Sequence, residues 1–459
     1  MGLSPFDHFP TSPVLCDLPA EGASIHRDEQ GMLRSRKKNY TFRYDPPTRI
    51  FKLTSNNEEV LSGQIRTVDV TPEISFNLAA GDRVFGMGEA TGQFDRNDQN
   101  FRIMNLDTLL FSIPGSSYAS FPFFIIKRQN TFTGIFFLCS FPLITRIDRA
   151  TDETSGPAVR FQIENGGEEF LYDVFAFSGS LPQILDEYTQ LTGRPTFLPA
   201  WSLGFHQSRW SYKTKDRVLE IARRFRSADL PLDAIHLDIH YMDGYKVFTF
   251  NPRHFAEPRE MHRLLGDQGV RTVAIVDPGV KIEDGYKTYE QGKIGQYYCL
   301  TAEGHPYNGK VWPGPVVFPD FTRKEVQHWW GDAHGDLFEA GVSGIWNDMN
   351  DPVLWMNKTY DPLTEDIGHA AGSHRRNRNL YANFQAEATT FGFQRHRQGE
   401  RPFILTRSAF CGIQKHAAVW TGDNHSTWEH LRENLHMVIN LGLSGVPFCG
   451  ADVGGFASG

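Results

Sequence analysis

Between residues 198 and 452 short apolar runs alternate with amphipathic ones, and this rhythm constrains the chain more than any other feature. The apolar runs are "LPAWSLGFH" (198–206), "AIHLD" (234–238), "TVAIVD" (272–277), "VSGIWND" (342–348), "FILTR" (403–407), "AAVWTGD" (417–423) and "GVPFCGAD" (445–452). Helix patterns lie between them. In "KDRVLEIARRFRSADLP", Val218, Ile221, Ala222 and Phe225 fall on one helical stripe. "PREMHRLLGDQG" (258–269) and "KEVQHWWGDAHGDLFEAG" (324–341) read the same way. Strands apolar on both faces, alternating with helices, imply βα units and a parallel sheet. Seven strands can be counted. They end at His206, Asp238, Asp277, Asp348, Arg407, Asp423 and Asp452. A single aspartate after a strand is ordinarily a helix cap. Five of seven is better explained by a barrel whose carboxyl strand ends share one mouth.

Residues 1–190 have a different rhythm. "RTVDVTPEISFNL" (66–78), "FPFFIIKR" (121–128), "TGIFFLC" (133–139) and "AVRFQI" (158–163) are strand-like and separated by turn residues. No convincing amphipathic helix precedes residue 183. The expected architecture is an antiparallel β-sandwich over 1–190 and an incomplete (β/α)8 TIM barrel over 191–459. An eighth strand is not found, so the barrel is expected to be truncated at its C-terminal side.

Composition narrows the partners. With 22% charged residues and a net charge of −8, a nucleic-acid surface is not expected. The basic run "RSRKK" (34–38) reads as a solvated turn. Five scattered cysteines (Cys16, Cys139, Cys299, Cys411, Cys449) form no CxxC pair, so reduced thiols and a cytoplasmic setting are expected. The start "MGLSPFDHFP" shows no signal-peptide pattern, no run approaches membrane-spanning length, and Asn39, Asn357 and Asn424 in Asn-x-Ser/Thr contexts carry little weight. Aromatic residues make 13% of the chain, which suits either sugar-stacking walls or a large β core. His425, His430 and His436 with Glu429 fit no zinc spacing, and no phosphate-binding loop is present. Neither a metal nor a cofactor is expected.

"GIWNDMNDP" (344–352), "AAVWTGDNHSTWEHL" (417–431) and "LDIHYMDGY" (237–245) resemble glycoside hydrolase family 31, the retaining α-glucosidase family. "FGMGE" (85–89), "GFHQSRWSY" (204–212), "VWPGPVVFPDF" (311–321) and "GVPFCGADVGGF" (445–456) follow in family order. The resemblance implies hydrolysis of terminal non-reducing α-linked glucosyl residues, with Asp348 as nucleophile and Asp423 as general acid/base. It implies that Asp238 and Arg407 hold the sugar, and that Trp210, Ile275, Trp346, Met349, Trp420, Asp452 and Phe456 line the pocket. Asp107 would reach in from the N-terminal domain. α-Xylosidase and transglycosylase activities share these motifs. Because the family continues with an eighth strand, a substrate-binding histidine and further β-domains, an inactive carbohydrate-binding fragment also stays open. The implied partner is an oligosaccharide or α-glucoside, with no nucleic acid and no membrane; homo-oligomer formation is left open. Arg407 is expected to keep Asp348 ionised, and Asp351, where the family has Glu, to hold the loop. His240 is expected to support its loop, and Arg378 and Ala382 are departures that bear on helix packing.

Overall fold

A computed structural model describes residues 2–3, 25–27, 33–37, 40–45, 47–55, 58–68, 71–108, 117–149, 156–169, 172–353, 355–356, 359–360 and 367–457. Cys16, Asn39 and Asn357 lie outside the described residues. By contacts the chain divides into two units, Met1–Arg194 with Asp423–Gly459, and Pro195–Gly422.

The first unit holds two antiparallel sheets. One includes Arg83–Gly86, Phe123–Arg128, Thr131–Leu138 and Asp173–Gly179. The other includes Ile50–Ser55, Glu58–Val68, Thr71–Asn77, Ala158–Ile163, Leu143–Asp148 and Gln99–Ile103. Their inner faces meet in an aromatic core. Phe137 of the first sheet stacks on Phe161 of the second at 5.2 Å between ring centroids, and Phe124 meets Phe76 edge-on at 5.6 Å. Much of the phenylalanine excess is therefore sandwich core, not binding wall. Leu33–Lys37 pairs as a strand, so most of the basic run read as a turn lies in a sheet. The pairing partners on both sides override the local charge pattern. The helix Leu181–Thr192 follows the sandwich, entered by Ser180 and Pro182. The 445–452 segment keeps only a two-residue strand, Cys449–Gly450.

In the second unit, parallel strands run in the order His206–Gln207, Ala234–Leu237, Arg271–Val276, Gly344–Asn347, Ile404–Thr406 and Ala418–Trp420. The second and fourth are buried at every residue, as two-sided burial requires. Helices Lys215–Ser227, Pro258–Gly266 and His374–His396 intervene. Thr214 caps the first of these, its hydroxyl accepting from Arg217 N at 3.2 Å.

Two further expectations change here, and one element is new. The 198–206 run is mostly a 3-10 turn, Ala200–Leu203, because Pro199 precedes it; His206 opens the strand instead of closing it. The single helix over 324–341 is two, Lys324–Ala333 and Gly335–Ala340, broken at His334. Between the third and fourth strands an antiparallel insert appears, formed by Val280–Lys281, Asn308–Val311 and Gly314–Val317. Its Trp-Pro-Gly-Pro turn carries no helical or parallel-strand periodicity that would have marked it.

Replacing Phe137 by Ala should destabilise the sandwich by about 3–5 kcal/mol. Urea unfolding followed by near-ultraviolet circular dichroism checks this, with Ile294→Ala as the exposed control (Ile294 is 83% exposed).

Candidate active site

The strand registers put the site together. Ile275 pairs with Trp346, Trp346 with Leu405, and Leu405 with Ala418. One residue on, Val276, Asn347, Thr406 and Val419 pair in turn. The next residue along each strand is Asp277, Asp348, Arg407 or Trp420. Side chains two apart on a strand share a face. Ile275, Trp346 and Ala418 therefore form one layer, and Asp277, Asp348, Arg407 and Trp420 the layer above it on the same side. Leu237 pairs with Ala274, which sets Asp238 beside Ile275 in the lower layer.

Arg407 is the cation of the upper layer. Its Nε lies 3.2 Å from Asp348 Oδ1 and its Nη2 donates to Asp351 Oδ1 at 2.9 Å. Arg407 and Asp351 are buried, while 15% of the Asp348 side chain is exposed. The chain reverses sharply after Asp348. Met349 adopts φ 52°, a left-handed conformation that a long side chain seldom takes, and its N–H donates to Asp348 Oδ1 at 2.7 Å. Asn350 ties the turn to the neighbouring strand, donating to Thr406 Oγ1 at 2.9 Å and accepting from Ser408 N at 3.0 Å. Asp351 thus holds the loop, as expected.

The proton affinity of Asp348 is higher than that of an ordinary aspartate, although Arg407 acts on it as expected. Burial pushes its carboxyl above the usual range; Arg407 and the Met349 N–H pull it down without cancelling that effect, and Asp351 adds to the rise. Asp277, not among the site residues expected from the sequence, is pushed well up, first by burial and then by Asp348 and Asp238, with Arg407 opposing. Asp238 Oδ1 accepts from Ile239 N at 2.6 Å.

Aromatic walls flank the row. Trp346 meets Trp420 edge-on at 5.5 Å, and the indole Nε1 of Trp346 is buried without a hydrogen-bond partner. Trp210, 51% exposed, lies 5.7 Å from Trp312 of the inserted hairpin. Trp312 was not singled out in the sequence. His240 accepts its loop role, with its Nδ1 2.6 Å from Ser211 Oγ.

The remaining candidates belong to the first unit. Asp107 is buried and accepts from the Tyr118 hydroxyl at 3.3 Å. Asp423 is half-buried. Its neighbour Asn424 donates to the Asp452 carbonyl at 3.2 Å, and Phe456 N donates back to Asn424 Oδ1 at 3.0 Å. An open depression of about 330 Å³ is lined there by Asn424, Trp428, Asp452 and Gly455, among others.

Among the described residues one group has metal-ligand chemistry: Cys299, Asp320 and His369, with donor atoms within 4.8 Å of one another. Its hydrogen bonds run in a fixed direction. Arg378 can only donate, and its Nη1 lies 3.4 Å from His374 Nε2. His374 Nδ1 then carries the proton toward His369 Nε2, at 3.0 Å, and His369 Nδ1 carries one toward Asp320 Oδ1, at 3.2 Å. The Cys299 thiol, pushed well up by burial and by Asp320, donates to the Pro319 carbonyl at 3.6 Å. An ion here would have to displace the His369 proton and reverse that order. Arg378, a departure in the sequence, is thus one end of a buried chain linking the long helix to Asp320, in the segment that follows the inserted hairpin.

Parallel strands carrying acids, a guanidinium and indoles at their carboxyl ends define the class, a barrel of the glycoside-hydrolase type. Residues 195–459 match the glycosyl hydrolases family 31 TIM-barrel domain, and residues 21–144 match the family's N-terminal galactose mutarotase-like domain. The chain belongs to glycosyl hydrolases family 31. It is 44% identical over 381 residues to alpha-glucosidase 2 of Bacillus thermoamyloliquefaciens, covering 82% of this chain and 47% of that protein. The family 31 alpha-glucosidase structure from Bacteroides thetaiotaomicron is 35% identical, with a TM-score of 0.72 over 84% of this chain and 62% of that one. The catalytic subunit in the ER glucosidase II heterodimer gives a TM-score of 0.84 at 25% identity, over 95% of this chain and 54% of that one. The chain spans about half the length of the curated relatives it matches. Among the described residues no helix is long and apolar enough to cross a membrane.

Replacing Arg407 by Met leaves buried Asp351 and largely enclosed Asp348 without their cation. Stability at neutral pH should fall by about 3–5 kcal/mol. The deficit should shrink toward about pH 4, because an acid whose folded pKa is raised loses stability as pH rises above its unfolded value. Melting temperatures of both proteins across pH check the sign.

Proposed function

We propose that this chain carries the catalytic centre of an enzyme that hydrolyses terminal non-reducing α-linked glucosyl residues with retention of configuration. The observation that carries the proposal is the placement of Asp348, at the carboxyl end of a buried strand of a family 31 barrel, within 3.2 Å of Arg407. Asp348 attacks the anomeric carbon and forms a glycosyl ester. Asp423 protonates the leaving oxygen, then deprotonates the water that cleaves the ester. This chemistry requires the two carboxyls to stand about 5–5.5 Å apart in the working enzyme.

Each remaining residue has a task suited to its chemistry. Arg407 opposes the effect of burial on Asp348 and so favours the charged nucleophile. Asp238 accepts hydrogen bonds from sugar hydroxyls. The unpartnered indole N–H of Trp346 is a donor suited to a hydroxyl oxygen. Trp210, Ile275, Met349, Trp420 and Phe456 supply apolar walls, and Asp107 and Asp452 further acceptors. The domains this reading uses are a sandwich over 1–190 and the barrel over 191–459. The substrate is an α-glucoside or oligosaccharide, and no cofactor enters the mechanism.

The test is nitrophenol release from an aryl α-glucoside, with the aryl α-xyloside alongside. Asp348→Asn should lower kcat/KM by about 10³-fold or more. The acid limb of the wild-type profile should lie above the ordinary aspartate range, since activity is lost as Asp348 gains its proton. Faster turnover of the xyloside would replace the substrate class and keep the mechanism. Full activity in Asp348→Asn would remove the nucleophile assignment.

A further inference from the structure

The upper layer of the site has more acid than base. Asp277 and Asp348 directly follow Val276 and Asn347, which pair across neighbouring parallel strands. Strand spacing sets their backbones about 4.8 Å apart, with both side chains on one face. Asp238 belongs to the layer beneath and Asp351 to the adjoining loop. Among the described residues, the guanidinium set against them is Arg407, and it already engages Asp348 and Asp351.

Two neutral donors beside the Asp277 strand are committed elsewhere. The Tyr241 hydroxyl donates to the Ile275 carbonyl at 2.9 Å. Gln385, from the long helix, donates to the Val276 carbonyl at 3.3 Å. Asp277 itself is buried, and its Oδ1 has no hydrogen-bond partner. A bare carboxylate oxygen in that position would be a buried charge with no hydrogen-bond donor. Two like charges on adjacent strands cannot both persist at low dielectric, so one of them keeps a proton.

We propose that Asp277 is the carboxyl that holds the proton, and that it sits as a neutral hydrogen-bond donor positioning Asp348. Arg407 sits 3.2 Å from Asp348 and is the main influence opposing burial there, whereas on Asp277 it is the smallest influence, behind burial, Asp348 and Asp238. A carboxylic acid beside the nucleophile can fix the orientation of its carboxylate without adding negative charge. The positioning role rests on the reading of Asp348 as nucleophile; the proton on Asp277 does not.

Asp277→Asn mimics the protonated acid in shape and charge. In the wild type, the unfolded chain releases this proton as pH rises while the folded protein keeps it. Wild-type stability therefore falls relative to the variant as pH rises above the ordinary aspartate value of about 4. The melting temperature of Asp277→Asn should rise against wild type as pH increases from there. Infrared difference spectra at neutral pH should show a protonated-carboxyl band in the wild type that the variant lacks. A melting difference that is flat or falls with pH, or no such band, would overturn the proton assignment. On an aryl α-glucoside, Asp277→Asn should stay within about tenfold of wild-type kcat/KM and Asp277→Ala should lose much more. A loss of about a hundredfold or more in Asp277→Asn would overturn the positioning role, because the site would then need an ionised Asp277. If the wild type does not hydrolyse the glucoside, the functional reading fails, while the melting and infrared results still decide where the proton is.

Discussion

Arg407 is the group on which the site depends. One guanidinium engages Asp348 and Asp351, and through them fixes the turn that ends the fourth parallel strand. The turn is unfavourable by itself, because Met349 is left-handed and two carboxyls are close together. Asn350 supports the same connection from the other side, bonded to Thr406 and Ser408 on the strand that bears Arg407. Strand pairing, charge pairing and loop shape are thus one feature. Burial raises the proton affinity of Asp348, and Arg407 limits that rise. A carboxylate in such a position is poorly solvated and yet partly neutralised.

Much of this was legible in the sequence because it depends on period and register. Residues two apart on a parallel strand share a face. Once "TVAIVD", "GIWND", "FILTR" and "AAVW" are recognised as adjacent strands, Ile275, Trp346, Asp348, Arg407 and Trp420 must converge. The alternating pattern of the first 190 residues gave the sandwich for the same reason. Family 31 membership then follows from motif order over most of the chain.

What escaped the sequence has no period. The hairpin around Trp312 is short, rich in proline and glycine, and inserted between two strands. The helix break at His334 lies within a continuous apolar pattern and shows only in the backbone. The chain from Arg378 through His374 and His369 to Asp320 joins residues far apart in sequence, and its direction is set by a guanidinium that can only donate. Asp277 was visible as one acid in a series of strand ends. Only the register of its strand against that of Asp348, and the orphan oxygen, set it apart.

The central claim is that Asp348 attacks the anomeric carbon. The most direct measurement uses an activated fluoroglucoside that slows breakdown of the glycosyl ester, followed by proteolysis and mass spectrometry of the labelled peptide. The expected result is one fluoroglucosyl group on Asp348, absent from Asp348→Asn. A label on any other carboxyl, or equal labelling of Asp348→Asn, would contradict the account.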